Sequence, residues 1–395
     1  MKEIYLDHAA TTKLDERVLQ KMMPYFTEFY GNANSQHGMG RDAQKAVDEA
    51  RDEIAKLIGA QPNEIYFTSG GTEADNWVLR GICKALSHKG KHIITTKIEH
   101  AAMLSTAKEL EKEGYEFTFL NVDNEGFVDL TELEKSIRPD TILVSCMYAN
   151  NEIGTIEPIK KIAEIAHAHG VLCHTDAVQA MGAMRINVRD LGVDMMSFSA
   201  HKFNGPKGMG ALFIKTGVPV GRLISGGHQE RTRRGGTTNV PGVVGFAEAL
   251  RLTYETLDED VKHVAALRDR FVKRVLEEVP YVKFNGPKDM TKRLPNNADF
   301  SFEYIEGESI LFSLDLAGIA VSSGSACSSG SLEPSHVLLA IGVPEELAHG
   351  SIRFTFGKEN TEEEVDYTVE KIKETVERLR KMSPLFKLDG TLKEV

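Results

Sequence analysis

Six short apolar runs, each closed by turn residues, punctuate the first 215 positions: EIYFT (64–68), KHIITT (91–96), TILVSCM (141–147), GVLCHTD (170–176), DMMSFS (194–199) and GALFIK (210–215). Runs of this length without polar alternation fit strands covered on both faces, as in a parallel sheet. Between several of them lie stretches with helical spacing: AAMLSTAKELEKEG (101–114), DLTELEKSI (129–137) and PIKKIAEIAHAHG (158–170). The last closes on His167, His169 and Gly170, as a helix C-terminus does. Alternating strands and helices predict an α/β architecture, with a mostly parallel sheet covered by helices.

The texture changes from about Val240. GVVGFAEALRLTYETL and VKHVAALRDRFVKRVLEEV read as two long amphipathic helices, followed by the strand-like NADFSFEYI, the helix ESILFSLDLAG, the strand-like SIRFTFG and a charged helix over 361–382. A chain of 395 residues is longer than one core usually serves. The expectation is a large domain over 13–255 and a smaller α+β domain over 256–395, with residues 1–12 packing back onto the second.

Composition narrows the classes. With 41% hydrophobic and 27% charged residues the chain reads as an ordinary globular protein. Its net charge of −11 argues against gripping nucleic acid, since RTRR (231–234) is the only dense basic cluster. There is no apolar run long enough for a membrane span and no signal-like start, so the expected location is the cytoplasm, away from membranes. The four cysteines are widely spaced and form no CxxC pair, so no disulfide framework and no metal site is expected. Cys83, Cys146 and Cys173 sit in apolar or mixed surroundings and read as small buried hydrophobes. Cys327 differs, because the stretch SSGSACSSGS (322–331) surrounds it with serine, glycine and alanine only.

In an open parallel sheet the ligand lies beyond the carboxyl ends of the strands. Those exits are unusually polar here. EIYFT runs into Ser69, Gly70, Gly71 and Thr72 at a helix start, which suits a phosphate but is neither a dinucleotide nor a nucleoside triphosphate signature. KHIITT leads to His100, TILVSCM to Asn150 and Asn151, GVLCHTD to Asp176 and Gln179, and DMMSFS to Ser199, His201 and Lys202. Each alone reads as a cap or a surface group, but helix caps have no use for a lysine. A phosphate cradle, an acid, an amide and a lysine at one sheet edge match pyridoxal phosphate, with Lys202 as its Schiff-base lysine.

The segments YLDHAATT, GNANSQHGMGRDA, YFTSGGTEADN, EHAA, ANNEIGTI, HTDAVQA, SFSAHKFNGPKGMGAL, RGGTTN, SSGSACSSGSLEPSHVL and GSIRFTFGKENTEEEVD together resemble the NifS/IscS cysteine desulfurases, from residue 5 to about 366. The resemblance implies the pyridoxal-phosphate transferase fold of type I, a homodimer, and conversion of L-cysteine to L-alanine. The sulfur would pass to Cys327 as a persulfide, for a sulfur acceptor such as an iron-sulfur scaffold. It implies that Lys202 binds the cofactor and takes the substrate α-proton, while Asp176 and Gln179 hold the pyridine nitrogen and phenolic oxygen. His100 would stack on the ring and shuttle the thiol proton. Gly71, Thr72, Ser199 and His201 would cradle the cofactor, Thr237 would reach the phosphate of a neighbouring subunit, and Asn151 and Arg353 would hold the substrate carboxylate. The small-residue surroundings of Cys327 suit a nucleophile on a swinging, mobile arm. The alternatives are selenocysteine lyase or another pyridoxal phosphate lyase or aminotransferase and, from a different class, a non-catalytic sulfur carrier or scaffold.

Overall fold

The computed structural model describes residues 3–323, 333–383 and 386; Cys327, and with it the expected mobile arm, lies outside the described residues. In chain order the first half contains β1 (Ile4–Tyr5), α1 (Glu16–Met22), α2 (Pro24–Thr27), α3 (Gly38–Ile58), β2 (Ile65–Thr68), α4 (Gly71–Leu86), β3 (His92–Thr96), α5 (Ala101–Lys112), β4 (Glu116–Leu120), α6 (Leu130–Ser136), β5 (Thr141–Ser145), α7 (Ile159–Ala168) and β6 (Leu172–Asp176). The second half contains α8 (Val188–Leu191), β7 (Met195–Ser199), β8 (Gly210–Ile214), α9 (Val240–Glu278), β9 (Val282–Asn285), β10 (Asn297–Phe302), α10 (Gly307–Leu316), β11 (Ile319–Ala320), α11 (His336–Ala340), α12 (Glu345–Ala348), β12 (Ser351–Thr355) and α13 (Glu362–Met382).

Seven strands form the main sheet in the order β2-β8-β7-β6-β5-β3-β4. The five from β7 to β4 run parallel, and β8 is antiparallel to both neighbours. The reversed strand, GALFI, is as fully buried as the parallel ones, so its composition does not betray its direction. The edge strand β4, EFTFL, escapes the search for continuous apolar runs because its first residue is exposed and only Leu120 is fully buried. A second, antiparallel sheet has the order β12-β10-β9, and β1 pairs in parallel with β11.

The two helices expected after Val240 are one helix, α9, of 39 residues. The segment between the two readings, DED (258–260), is polar but contains no glycine or proline, so nothing stops the hydrogen-bond ladder. Residue 255 therefore lies inside a helix. The first part of α9, from Val240 to Leu257, packs in the core under the large sheet, with Phe246 against Phe67, Phe198 and Phe203. Its later part, from Val264 to Val275, joins a separate core around the small sheet, where the Phe271 ring centroid lies 4.7 Å from Phe354 and 5.3 Å from Phe356. The N-terminal residues Ile4 and Leu6 belong to that second core. Helix α13 opens with a capping box between Thr361 and Glu364 and holds its buried stripe against the same core. Among the described residues no helix is long and apolar enough to cross a membrane.

Candidate active site

The carboxyl ends of β2, β3, β5, β6 and β7 open onto one cavity of about 270 Å³. Its wall contains Gly71, Thr72, His100, Asn151, Asp176, Gln179, Ser199, His201, Lys202 and Arg353. Of the site residues expected from the sequence, these ten meet there. Thr237 is exposed on the segment before α9 and does not line the cavity, and Cys327 lies outside the described residues. Asn150, also considered at a strand exit, braces the turn instead. It is fully buried, its Nδ2 donates to the Ile98 carbonyl at 2.9 Å, and its Oδ1 accepts from the Glu152 and Ile153 amides.

Lys202 follows β7 in a single 3-10 turn, and its Nζ donates to the carbonyl of Ala9 and, at 2.9 Å, to that of Ala10. The same Ala9 carbonyl accepts from Gln179 Nε2 at 2.9 Å. The N-terminal segment after β1 thus forms one wall of the cavity, a contribution that residue-type arguments miss because backbone carbonyls leave no side-chain signature. His201 is oriented by Thr11 Oγ1 at 3.1 Å from Nδ1, and burial next to Lys202 and Lys207 pushes its pKa down to about 4.

His100 is the N-cap of α5, with Nδ1 accepting from the Ala102 amide at 3.1 Å. Burial, reinforced by Lys202 and opposed by Asp176, lowers its pKa. The ring is therefore neutral near pH 7, and because Nδ1 is an acceptor the single proton sits on Nε2. Asp176, at the end of β6, accepts from the Val178 amide at 2.8 Å; burial raises its pKa, while that hydrogen bond, His100 and Lys202 favour its charged form.

Arg353 comes from β12, far along the chain, and is 3% exposed. Its Nη2 pairs with Asp7 Oδ1 at 2.8 Å and its Nη1 donates to the Asn151 carbonyl at 3.1 Å. Its Nε is buried with no hydrogen-bond partner among the described residues, a donor available to an anion. Asp75 of α4 also lines the cavity and was not anticipated, since an acid in a helix reads as exposed.

Beside this cavity, Ser69, Gly70, Gly71, Thr72, Ser199, His201 and Lys207 line a second hollow of about 390 Å³ at the start of α4. No side chain caps that helix, so its first amides face the hollow. A Cβ on Gly71 would stand 2.7 Å from Val178 Cγ2, so the helix can start this close to the β6 exit only as glycine. An uncapped helix start, a hydroxyl, an acid at a strand end, a lysine and an orphan guanidinium N–H fit the phosphate, ring nitrogen and carbonyl of pyridoxal phosphate and the carboxylate of an amino acid. Among the described residues no group of His, Cys, Asp and Glu could hold a metal ion.

Residues 4–368 match the aminotransferase class-V family. A Clostridium botulinum (strain Hall) protein named cysteine desulfurase IscS is 52% identical over 385 residues, covering 98% of this chain and 97% of its own. A Dictyoglomus turgidum protein of the same name is 53% identical over 383 residues and 97% of each chain. Among solved structures, a NifS-like protein is 43% identical with a TM-score of 0.90, over 95% of this chain and 100% of that one. A NifS-like protein from Rickettsia africae is 31% identical with a TM-score of 0.85, over 95% and 99%.

Proposed function

Because the chain belongs to the class-V aminotransferase family and is a cysteine desulfurase, we propose that it uses pyridoxal phosphate in this cavity to convert L-cysteine to L-alanine, passing the sulfur to Cys327. When bound, pyridoxal phosphate supplies an electron-withdrawing ring that accepts the electrons freed as the substrate Cα–H bond breaks. The amides of α4, the Thr72 and Ser199 hydroxyls and His201 are the groups available to its phosphate, Asp176 to its ring nitrogen and Gln179 to its phenolic oxygen. Thr237, exposed and outside this cavity's wall, is available to a neighbouring subunit's phosphate.

Arg353 and Asn151 orient the substrate carboxylate, with the guanidinium Nε as the donor that no protein group uses among the described residues. Lys202, once its amine leaves the Ala9 and Ala10 carbonyls, takes the α-proton. His100 presents Nε2–H, so it is a donor to developing negative charge before it is a base. The Cys327 thiolate attacks the substrate sulfur: an S–S bond forms, the Cβ–S bond breaks with its electron pair going to the carbon skeleton, and protonation of that skeleton gives alanine.

The observation that carries this reading is the meeting of Lys202, Asp176 and Arg353, brought by three different strands, in one cavity wall. Cys327→Ser should keep the visible absorbance of the cofactor and lose alanine and sulfide production, and turnover at the wild-type rate would remove the thiol from the reaction. Lys202→Ala should lose the lysine-linked absorbance, and its survival would mean that another lysine binds the cofactor.

The same reading extends to assembly and location. Met23, Phe26 and Tyr30 are 49%, 55% and 66% exposed around α1 and α2, which supports a homodimer through that face. A division into units over about 13–255 and 256–395 is supported by the large-sheet and small-sheet cores, which change over inside α9 between Leu257 and Val264, with Leu294 joining the first. The buried free thiols Cys83, Cys146 and Cys173 suit the reducing cytoplasm, where an iron-sulfur scaffold or another thiol protein would take the persulfide sulfur.

A further inference from the structure

Behind the cavity lies a buried group that this mechanism does not use. Asp75, on the first turns of α4, is 1% exposed and lines the same cavity as Asp176, and the two carboxyls are close enough for their charges to interact. Glu99, 1% exposed, acts on both. We propose that Asp75 is a positioning residue of the cavity: it holds the proton of a two-carboxyl pair and leaves the negative charge on Asp176.

The partners of each carboxyl decide the assignment. Asp176 accepts a backbone hydrogen bond and is faced by the Lys202 ammonium and the neutral His100 ring, which favour its charge. Asp75 lies where the Ser197 hydroxyl of β7 favours its charged form, and its Oδ1, 3.9 Å from the neutral His174 Nε2, has no hydrogen-bond partner among the described residues. Glu99, on the turn before α5, accepts from the Thr96 hydroxyl at 2.9 Å and the Met147 amide at 2.9 Å, and burial pushes its pKa up to about 8. Three carboxyls at this depth cannot all be ionised, and the charge settles on the one that faces Lys202 and holds a backbone amide.

The surrounding hydrogen bonds agree. His174 of β6 is fully buried and held neutral, bridging Ser145 Oγ at 2.8 Å and Ser197 Oγ at 3.0 Å. The ring thus joins the two serines and brings no charge to Asp75, whose Oδ1 lies 3.9 Å from its Nε2. The Asp75 Oδ1, buried and without a hydrogen-bond partner among the described residues, is the oxygen that carries the proton. An ionised Asp75 would set a second anion beside Asp176 and tighten its hold on a ring-nitrogen proton. A neutral Asp75 leaves one charge for one cation.

This proposal rests on the reading of the cavity as a pyridoxal phosphate site. The test uses the full-length enzyme loaded with pyridoxal phosphate, comparing wild type, Asp75→Asn and Ser197→Ala by infrared and visible spectroscopy across pH. The wild type is expected to show a protonated-carboxyl band at neutral pH that Asp75→Asn lacks. The visible spectrum should carry an alkaline inflection where that band disappears, absent from Asp75→Asn while the rest of its profile is kept. Ser197→Ala, which withdraws the hydroxyl favouring the charged form, should move the inflection up by about one pH unit, a tenfold change in proton affinity, and this arm stands even if Asp75→Asn fails to fold. A carboxyl band unchanged in Asp75→Asn, an inflection that survives in it, or one that Ser197→Ala leaves in place would overturn the proposal while leaving the cofactor reading intact. A wild type without visible absorbance would defeat the cofactor reading itself.

Discussion

Glu152 offers a stability test whose size follows from its surroundings. It is 5% exposed in the turn after β5, accepts from the Ser335 hydroxyl at the start of α11, and burial pushes its pKa from 4.5 up to about 8 against the pull of that hydroxyl and of Arg353. Once unfolded, the carboxyl is ionised above about pH 5, whereas the folded one keeps its proton until about pH 8. The folded state binds the extra proton, so the stability contributed by this group is complete below the unfolded pKa and is lost as pH rises through the folded one. At ~1.4 kcal/mol per unit, the two units from pH 6 to pH 8 remove about 2–3 kcal/mol. Glu152→Gln keeps the shape and an oxygen for Ser335 but has no proton to lose. Urea unfolding of both proteins at about pH 6, 7, 8 and 9 should therefore give a gap that widens in favour of the variant, by roughly 2–3 kcal/mol overall. Glu99 and Glu157, each also pushed up to about 8, leave the variant with a residual slope of the same sign. Two pH curves that run parallel would show that Glu152 is ionised in the folded protein and that the reasoning from burial is wrong.

Three further outcomes are expected. Gly71→Ala should weaken pyridoxal phosphate binding by about tenfold or more with the fold kept, because the new Cβ meets the stiff Val178 side chain at 2.7 Å, and Val178→Ala in the same chain should restore binding; failure of that rescue would place the glycine's role elsewhere. Arg353→Lys should raise KM for L-cysteine by about 10- to 100-fold with a smaller change in kcat, as one charge-assisted hydrogen bond worth ~1.5–3 kcal/mol is lost, and an unchanged KM would remove Arg353 from substrate binding. Phe271→Ala, which empties the centre of the core joining α9 to the small sheet, should cost about 3–5 kcal/mol in chemical unfolding; a loss under about 1 kcal/mol would mean that this core can collapse around the gap.

Particular elements separate what can be read along the chain from what cannot. The apolar runs that form β2, β3, β5, β6, β7 and β8 announce themselves because burial on both faces removes polar alternation, a demand local to each run. The edge strand β4 meets that demand on part of its length only, so its pattern is silent. The length of α9 is hidden because a polar surface segment resembles a break unless a true helix breaker is required. Lys202, His100 and Asp176 are visible as polar residues at strand exits. Arg353 and Thr237 are reached only through the resemblance to a family, since nothing in their own neighbourhoods marks them.

By itself, then, the sequence determined the fully buried strands of the main sheet, the sheet edge at which chemistry gathers and the residue types that gather there, since these follow from short-range periodicity and from chain order in a parallel sheet. Only the tertiary structure decided that Ala9 and Ala10 turn their carbonyls to Lys202, that an arginine in the small sheet leaves one N–H without a partner among the described residues, and that Asp75, Glu99 and Asp176 are buried near one another. Those features depend on which distant segments exclude water from a side chain. Burial, and the pKa and hydrogen-bond demands that come with it, belongs to the assembled layers and to no stretch of chain alone.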